Sequence, residues 1–358
     1  MNDSKKRLIK GNEAIAVAAI DAGCMYYFSY PITPQSDIPE YLSRHLPEVG
    51  GTFLQAESEI ASINMVLGAS AAGARAMTSS SGPGISLKQE GLSYMASDEL
   101  PALIVNISRT GPGLGGIAAS QGDYFQATKG GGHGDYRVIV LAPYSVQEMY
   151  DLTIKGFDLA DKYRIPVMIL ADSVLGQMKE PLTIGGRKKS TAIKKNWALT
   201  GCEGRRPHVI KSLYLDGDKS IEHNWKLSKK HQKIQKNEVM CEIKDCKDAD
   251  LILIAFGSAA RIAKTSIEMA MEKGIKVGML RPITLFPFPN QQIKDISKDI
   301  KNILVVEQNT GQMVEDVLIS VSKNAHVTFY GKPTGNVLEA EEILGQIERL
   351  KNKKGFRR

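Results

Sequence analysis

Apolar residues in the first half of the chain alternate between helical and strand spacing. In residues 13–22, Ala14, Ile15, Ala18 and Ala19 fall on one helical face, which predicts a helix. An aromatic strand at 25–30 follows and stops at Pro31. Residues 57–74 predict a second helix, rich in small residues, with Ile60, Ile63, Val66 and Leu67 as its burying positions. A buried strand at 75–78, a loop at 79–84, another helix and a strand at 102–107 come next. Strands at 137–141 and 167–170 bracket a helix that begins near Ser145. Strands alternating with helices imply an α/β unit built on a mostly parallel sheet covered on both faces.

From about 185 to 248 this rhythm stops. The stretch is basic and poor in large apolar residues, and it predicts an interdomain crossing with one exposed helix near 220–237. A second α/β unit then begins with a strand at 251–256, a Gly257-Ser258 turn and an amphipathic helix at 260–273 ended by Gly274. Strands at 276–280, 303–307 and 326–330 complete it, with a rigid Leu-Phe-Pro-Phe-Pro corner at 285–289. The expected division is a first domain at 1–185, the crossing at 186–248, a second domain at 249–350 and a basic tail at 351–358.

Composition narrows the classes. The hydrophobic fraction of 42% and charged fraction of 24% are those of an ordinary globular protein. No apolar run reaches the ~18 residues of a membrane span, and the N-terminal apolar stretch is interrupted by Asp21, unlike a signal peptide. The net charge of +7 sits mainly in 188–195, 226–236 and the tail, with little aromatic interleaving, so solvated surface is expected rather than a nucleic-acid site. Cys24, Cys202, Cys241 and Cys246 form no C-x-x-C pair and lack the ligands of a ferredoxin-type cluster; unpaired thiols in a reducing cytoplasm are expected. His208, His223 and His231 have no metal-ligand spacing.

Four segments carry candidate chemistry. In Tyr-Phe-Ser-Tyr-Pro-Ile-Thr-Pro-Gln-Ser-Asp (27–37), Pro31 and Pro34 stiffen a bend at a strand's end and orient Thr33; a plain strand-to-helix turn is the alternative. Glu57 and Glu59 open a helix of small and apolar residues. There a carboxylate is either a dipole partner or a half-buried acid able to share a proton with a ring nitrogen. The loop Thr-Ser-Ser-Ser-Gly-Pro-Gly (78–84) can turn backbone N–H groups toward a ligand. Residues 109–116 contain G-x-G-x-x-G, but the segment after them, 117–137, is polar and glycine-heavy and predicts a long active-site loop rather than a dinucleotide-binding helix. Arg109, at a strand's carboxyl end, is either a bidentate carboxylate receptor or half of a surface salt bridge. His133, among glycines, is read as a loop residue.

Together the segments 30–34, 55–74, 77–87, 108–115 and 119–143 resemble the alpha-type subunit of the 2-oxoacid:ferredoxin oxidoreductases, and 255–263, 278–289 and 305–313 resemble a transketolase C-terminal domain. Gln-Ala-Glu-Ser-Glu and the 121–137 segment look most like the branched-chain (2-oxoisovalerate) members, with 2-oxoglutarate members as the runner-up. The resemblance implies a thiamine-diphosphate pyrimidine-binding domain followed by a transketolase-C-terminal-like α/β domain. It implies a glutamate at N1′ of the aminopyrimidine, matched by Glu59, a threonine near the substrate, matched by Thr33, and a substrate-carboxylate arginine, matched by Arg109. The G-D-G and N-N motifs that hold the diphosphate and Mg2+ are missing: Gly122-Asp123-Tyr124 and Gly134-Asp135-Tyr136 do not fit, and no Asn-Asn occurs. The resemblance therefore implies partners: a thiamine-diphosphate-binding beta-type subunit with Mg2+, a gamma-type subunit and a ferredoxin-like subunit carrying iron–sulfur clusters. With them the chain is expected to act on a 2-oxoacid, coenzyme A and ferredoxin. Competing readings are an NAD-dependent dehydrogenase and a non-catalytic scaffold subunit.

Overall fold

The apolar runs sort into two large sheets, because strands flanked by helices on both sides have no polar face to show. The computed structural model describes residues 6–184, 193–333 and 335–352. In chain order the strands are β1 (Lys6–Lys10), β2 (Tyr26–Ser29), β3 (Thr52–Gln55), β4 (Ala76–Ser80), β5 (Ala102–Ser108), β6 (Ile139–Leu141) and β7 (Pro166–Asp172). They continue with β8 (Lys179–Thr183), β9 (Cys241–Lys244), β10 (Leu251–Ile254), β11 (Val277–Pro282), β12 (Thr284–Phe286), β13 (Asn302–Glu307) and β14 (His326–Gly331).

The seven-stranded sheet has the order β12-β6-β7-β5-β4-β2-β3, and the five-stranded sheet the order β14-β13-β10-β11-β9. β4, β5 and β7 are buried along their whole length between helical layers, β5 and β7 largely apolar and β4 ending in buried Thr78, Ser79 and Ser80. They pair in parallel, with Ser80 opposite Asn106 and Ser108 opposite Asp172. Their carboxyl ends therefore share one edge of the sheet, the side on which open α/β sheets place ligands.

Three expectations change. The 285–289 corner is not only a turn: β12 leaves the second unit and pairs antiparallel with β6, Thr284 opposite Leu141. Leu285 and Phe286 are buried there, so the apolar pair is satisfied by extending the first sheet. The 117–137 segment is not all loop, for Tyr124–Lys129 is a short helix. Its Tyr124 is fully buried, packs 5.6 Å from the Phe256 ring and donates to Asp316 Oδ2 at 2.6 Å, which pins the segment between the two sheets. In the Glu59–Ala71 helix, Ile60 is 50% exposed, because the inward stripe runs Glu59, Ile63, Val66, Ser70 and Ile60 lies about 100° away from it.

The crossing contains the expected helix, Gly217–Asn237, begun by Asp216, whose side chain accepts from the Asp218 and Lys219 amides. Only Leu227 and Ile234 of this helix are buried. It lies against the first unit through ion pairs from Lys226 and Lys230 to Glu99, the Lys230 pair at 2.9 Å. Residues 185–192 and 353–358, with most of the basic tail, lie outside the described residues. Among the described residues, no helix is long and apolar enough to cross a membrane.

Burial disfavours ionised Glu99, but Lys230 and Lys226 outweigh it and bring its carboxyl down from 4.5 to about 2. A folded-state value below the unfolded one gives stability that is complete above the unfolded value and lost as pH falls toward 2. Hydrogen exchange in the Gly217–Asn237 helix should therefore accelerate as pH drops from about 4.5 toward 2, after correction for intrinsic rates, and E99Q should show the faster exchange already at neutral pH.

Candidate functional site

Glu59 is the first residue of the Glu59–Ala71 helix, and Ser58 caps it by accepting from the Ala61 amide at 3.1 Å. Glu57, two residues earlier, is exposed and receives a hydrogen bond from Ser58 Oγ at 3.0 Å. Glu59 is only 7% exposed, because it heads the buried stripe. No hydrogen bond from a described residue reaches its carboxylate.

The glycine loop after β4 fits between Glu59 and Arg109. At Gly84 a Cβ would run into Ser80 Oγ and stand 2.6 Å from Glu59 Oε1, so only a bare backbone passes. Gly82 has φ +45°, a conformation L side chains rarely adopt, and a Cβ there would stand 3.2 Å from Arg109 Nε. One short loop thus touches the acid with one glycine and the guanidinium with another.

Arg109 follows β5 directly and is 9% exposed. Nη1 donates to the Thr33 carbonyl at 2.8 Å and Nη2 to the Leu114 carbonyl at 3.0 Å. No carboxylate of a described residue lies within ion-pair distance of Arg109, so the surface salt bridge does not form, although its charge acts on Asp123 in the same cleft. A guanidinium has five N–H donors, and Nε is buried without a partner, so donors remain for an anion. The Thr33 side chain is exposed, and what the structure fixes at this position is its carbonyl, just before a cis Thr33–Pro34 bond.

Arg109 lies in a cleft of about 800 Å³ formed by the Gly82–Pro83 turn, residues 109–113, Asp123 and Gln126, and closed from the second sheet by Asn309, Thr310 and Gln312. Burial pushes the Asp123 carboxyl up, partly offset by Asn106, which donates to it at 2.9 Å. The second-sheet loop is shaped by Glu307, fully buried, whose carboxylate accepts from the amides of Met313 at 2.8 Å and Val314 at 2.9 Å. Gln121 and Gln308 then join the two units reciprocally: Gln121 N donates to the Gln308 carbonyl and Gln308 N to Gln121 Oε1, both at 2.9 Å.

The dinucleotide reading fails on geometry. Residues 111–116 form a loop, with Gly113 and Gly115 at positive φ, and the next helix begins only at Tyr124. The residues do fit the aminopyrimidine end of thiamine diphosphate. A mostly buried carboxylate without a hydrogen bond stands beside Gly84 together with Ser80 Oγ, a buried hydroxyl that also lacks a partner. Among the described residues no group of three His, Cys, Asp or Glu is placed to hold a metal. His133 is exposed, and His208 and His223 bond to the Ala198 and Ser97 carbonyls at 3.0 Å each.

Sequence reasoning brought together Glu59, Thr33 and Arg109 but missed Lys88, Asp123 and the 309–312 loop. Lys88 had a signal: Ile85, Lys88, Leu92 and Met95 recur at helical spacing, so the lysine falls on an apolar stripe. Asp123 and the 309–312 loop had none, because only the docking of the two units places them on one cleft.

A family described as pyruvate flavodoxin/ferredoxin oxidoreductase, thiamine diP-binding, matches residues 17–244, and one described as pyruvate:ferredoxin oxidoreductase core domain II matches 249–343. The chain is 49% identical over 344 residues to ketoisovalerate oxidoreductase subunit VorB of Methanothermobacter marburgensis, covering 96% of this chain and 97% of that one. It is 39% identical over 362 residues to 2-oxoglutarate synthase subunit KorA of Methanocaldococcus jannaschii, covering 95% and 98%. A solved 2-oxoglutarate:ferredoxin oxidoreductase from Magnetococcus marinus, with 2-oxoglutarate, coenzyme A and succinyl-CoA bound, superposes with a TM-score of 0.86 at 27% identity. That match covers 98% of this chain, which spans 66% of that longer one. A split-gene transketolase, at 13% identity and a TM-score of 0.58 over 95% of this chain and 97% of that one, shares the fold.

Replacing Gly84 by Ala should displace Ser80 Oγ and, with it, the Glu59 carboxylate, whose Oε1 is 2.6 Å from the new methyl position. Misplacement on the order of 1 Å costs about 100-fold in rate. The G84A complex should show a fall in kcat of that order.

Proposed function

We propose a division of labour from one premise: the chain belongs to the thiamine-diphosphate-binding pyruvate flavodoxin/ferredoxin oxidoreductase family. Within it, the chain is an alpha-type subunit on the ketoisovalerate branch. The reaction is coenzyme A-dependent oxidative decarboxylation: a branched-chain 2-oxoacid and coenzyme A give acyl-CoA, carbon dioxide and a proton, and two electrons pass to two oxidised ferredoxins. When bound, thiamine diphosphate supplies a nucleophilic thiazolium carbon and an electron sink.

One observation carries the reading: the buried Glu59 carboxylate, free of hydrogen bonds from described residues, beneath a glycine loop whose other side meets Arg109. In this proposal Glu59 holds or gives a proton at the ring nitrogen N1′. Arg109 receives the substrate carboxylate with the donors that Thr33 and Leu114 leave over. Thr33 lines the substrate's entry to that arginine, its carbonyl steadying the guanidinium. The second unit excludes water by laying the 309–312 loop over the cleft.

The cleft supports a monocarboxylate with an apolar tail over 2-oxoglutarate. Arg109 is the one basic side chain lining it among the described residues, Pro83, Pro112 and Pro333 are apolar walls, and Asp123 would face a second carboxylate. The identity to a ketoisovalerate oxidoreductase subunit points the same way. The diphosphate and Mg2+ belong, in this reading, to a beta-type subunit, and the iron–sulfur clusters to a ferredoxin-like subunit, with a gamma-type subunit completing a cytoplasmic complex.

The assembled complex, assayed with a viologen dye against a panel of 2-oxoacids, should prefer 2-oxoisovalerate to 2-oxoglutarate. E59Q should abolish turnover and leave assembly intact; near-normal activity would remove the central assignment and favour a scaffold role. R109A should chiefly raise KM, through ~2–4 kcal/mol of lost binding as a desolvated charge pair is broken.

A further inference from the structure

Lys88 lies between the short helix Pro83–Leu87 and the helix Gln89–Ser97, and its side chain is fully buried. Its ammonium donates to the Glu59 main-chain carbonyl at 3.4 Å and to Ser62 Oγ. Ser62 Oγ in turn donates to the Glu59 carbonyl at 2.8 Å, so the cation is tied to the turn that carries the acid. Glu59 is the one charge facing Lys88 among the described residues.

Packing alone does not explain a cation here. A buried ammonium without a direct ion pair is expensive, and an apolar residue of similar length would fill the stripe of Ile85, Leu92 and Met95 at lower cost. The first turn of the Glu59–Ala71 helix is moreover the positive end of that helix, where a second positive charge is unfavourable unless a negative one accompanies it.

We propose that Lys88 is a positioning residue for the cofactor's acid: its ammonium stabilises the Glu59 carboxylate from beneath and so shifts the shared proton from Glu59 Oε to the ring nitrogen. The proton moves along one hydrogen bond, the carboxylate left behind keeps the negative charge, and Lys88 stays protonated throughout. This inference rests on the assignment of Glu59 to the aminopyrimidine and adds its regulation by pH. Burial, opposed by the Glu59 charge, brings Lys88 down from 10.5 to about 7. Its ammonium is thus full below that value and is lost as pH rises through it, while the unfolded chain keeps its proton to 10.5.

The test uses the assembled complex and measures thiamine diphosphate affinity by titration calorimetry beside turnover, from about pH 6 to about pH 9. In the wild type, affinity and kcat should both fall with rising pH through a limb near 7. K88R keeps its charge and should lose that limb in both readouts. K88M should be flat in both, with kcat lowered on the order of tenfold, the equivalent of about one pKa unit of lost coupling. It should also fold at least as stably at pH 6, since it removes a buried charge. The inference falls alone if E59Q is inactive while K88M or K88R retains the wild-type limb in cofactor affinity. Normal turnover by E59Q would remove the Glu59 assignment and this inference with it.

Discussion

An ionisable group can be buried only if something in the interior answers it, and Glu59 is where that requirement organises the molecule. It heads a helix that supplies positive potential, it is approached by a loop that must be glycine, and a buried lysine is tied to its main chain. Its carboxylate nevertheless ends without a hydrogen bond from any described residue. A mostly buried acid without a hydrogen bond, beside the partnerless Ser80 Oγ, is costly to an isolated fold. In the proposed assignment a polar ring supplies the missing partner.

The surroundings follow from the parallel sheet. Because β4 and β5 run side by side in the same direction, the glycine loop after one and Arg109 after the other emerge together. The first unit alone leaves that edge open. The second unit covers it through Gln121 and Gln308, Tyr124 and Asp316, and a loop shaped around buried Glu307. Away from the cleft, Arg281 on β11 makes two 2.8 Å hydrogen bonds to Glu148 and a third to Glu242. β12 meanwhile extends the first sheet. The cleft is therefore a property of the joined units.

Charge distribution in the cleft also bears on selectivity. A single guanidinium, two of whose donors are already committed to carbonyls, suits one carboxylate. Asp123, its carboxyl pushed up by burial, lines the same cleft, and among the described residues no second basic side chain does. Under the proposed role of Arg109, discrimination between a branched-chain acid and a dicarboxylate would arise from what the pocket withholds as much as from what it offers.

Local periodicity determined much of this protein. The small-residue helix, the buried strands and the Gly217–Asn237 helix were legible because burial writes a repeat of 3.6 or 2 into the sequence. The same repeat marked Lys88 on an apolar stripe, although it put Ile60 rather than Glu59 on the inward face of its helix. Motif likeness singled out Glu59 and added Thr33 and Arg109. Residues whose role depends on distant partners left no such trace. β12 joining the first sheet, Tyr124 sealing the two units, and Asn309 donating to the Gln121 carbonyl at the cleft each arise from contacts between segments more than a hundred residues apart. Such contacts obey shape and hydrogen-bond satisfaction between surfaces, and neither is encoded in the spacing of neighbours. Only the tertiary structure decided them.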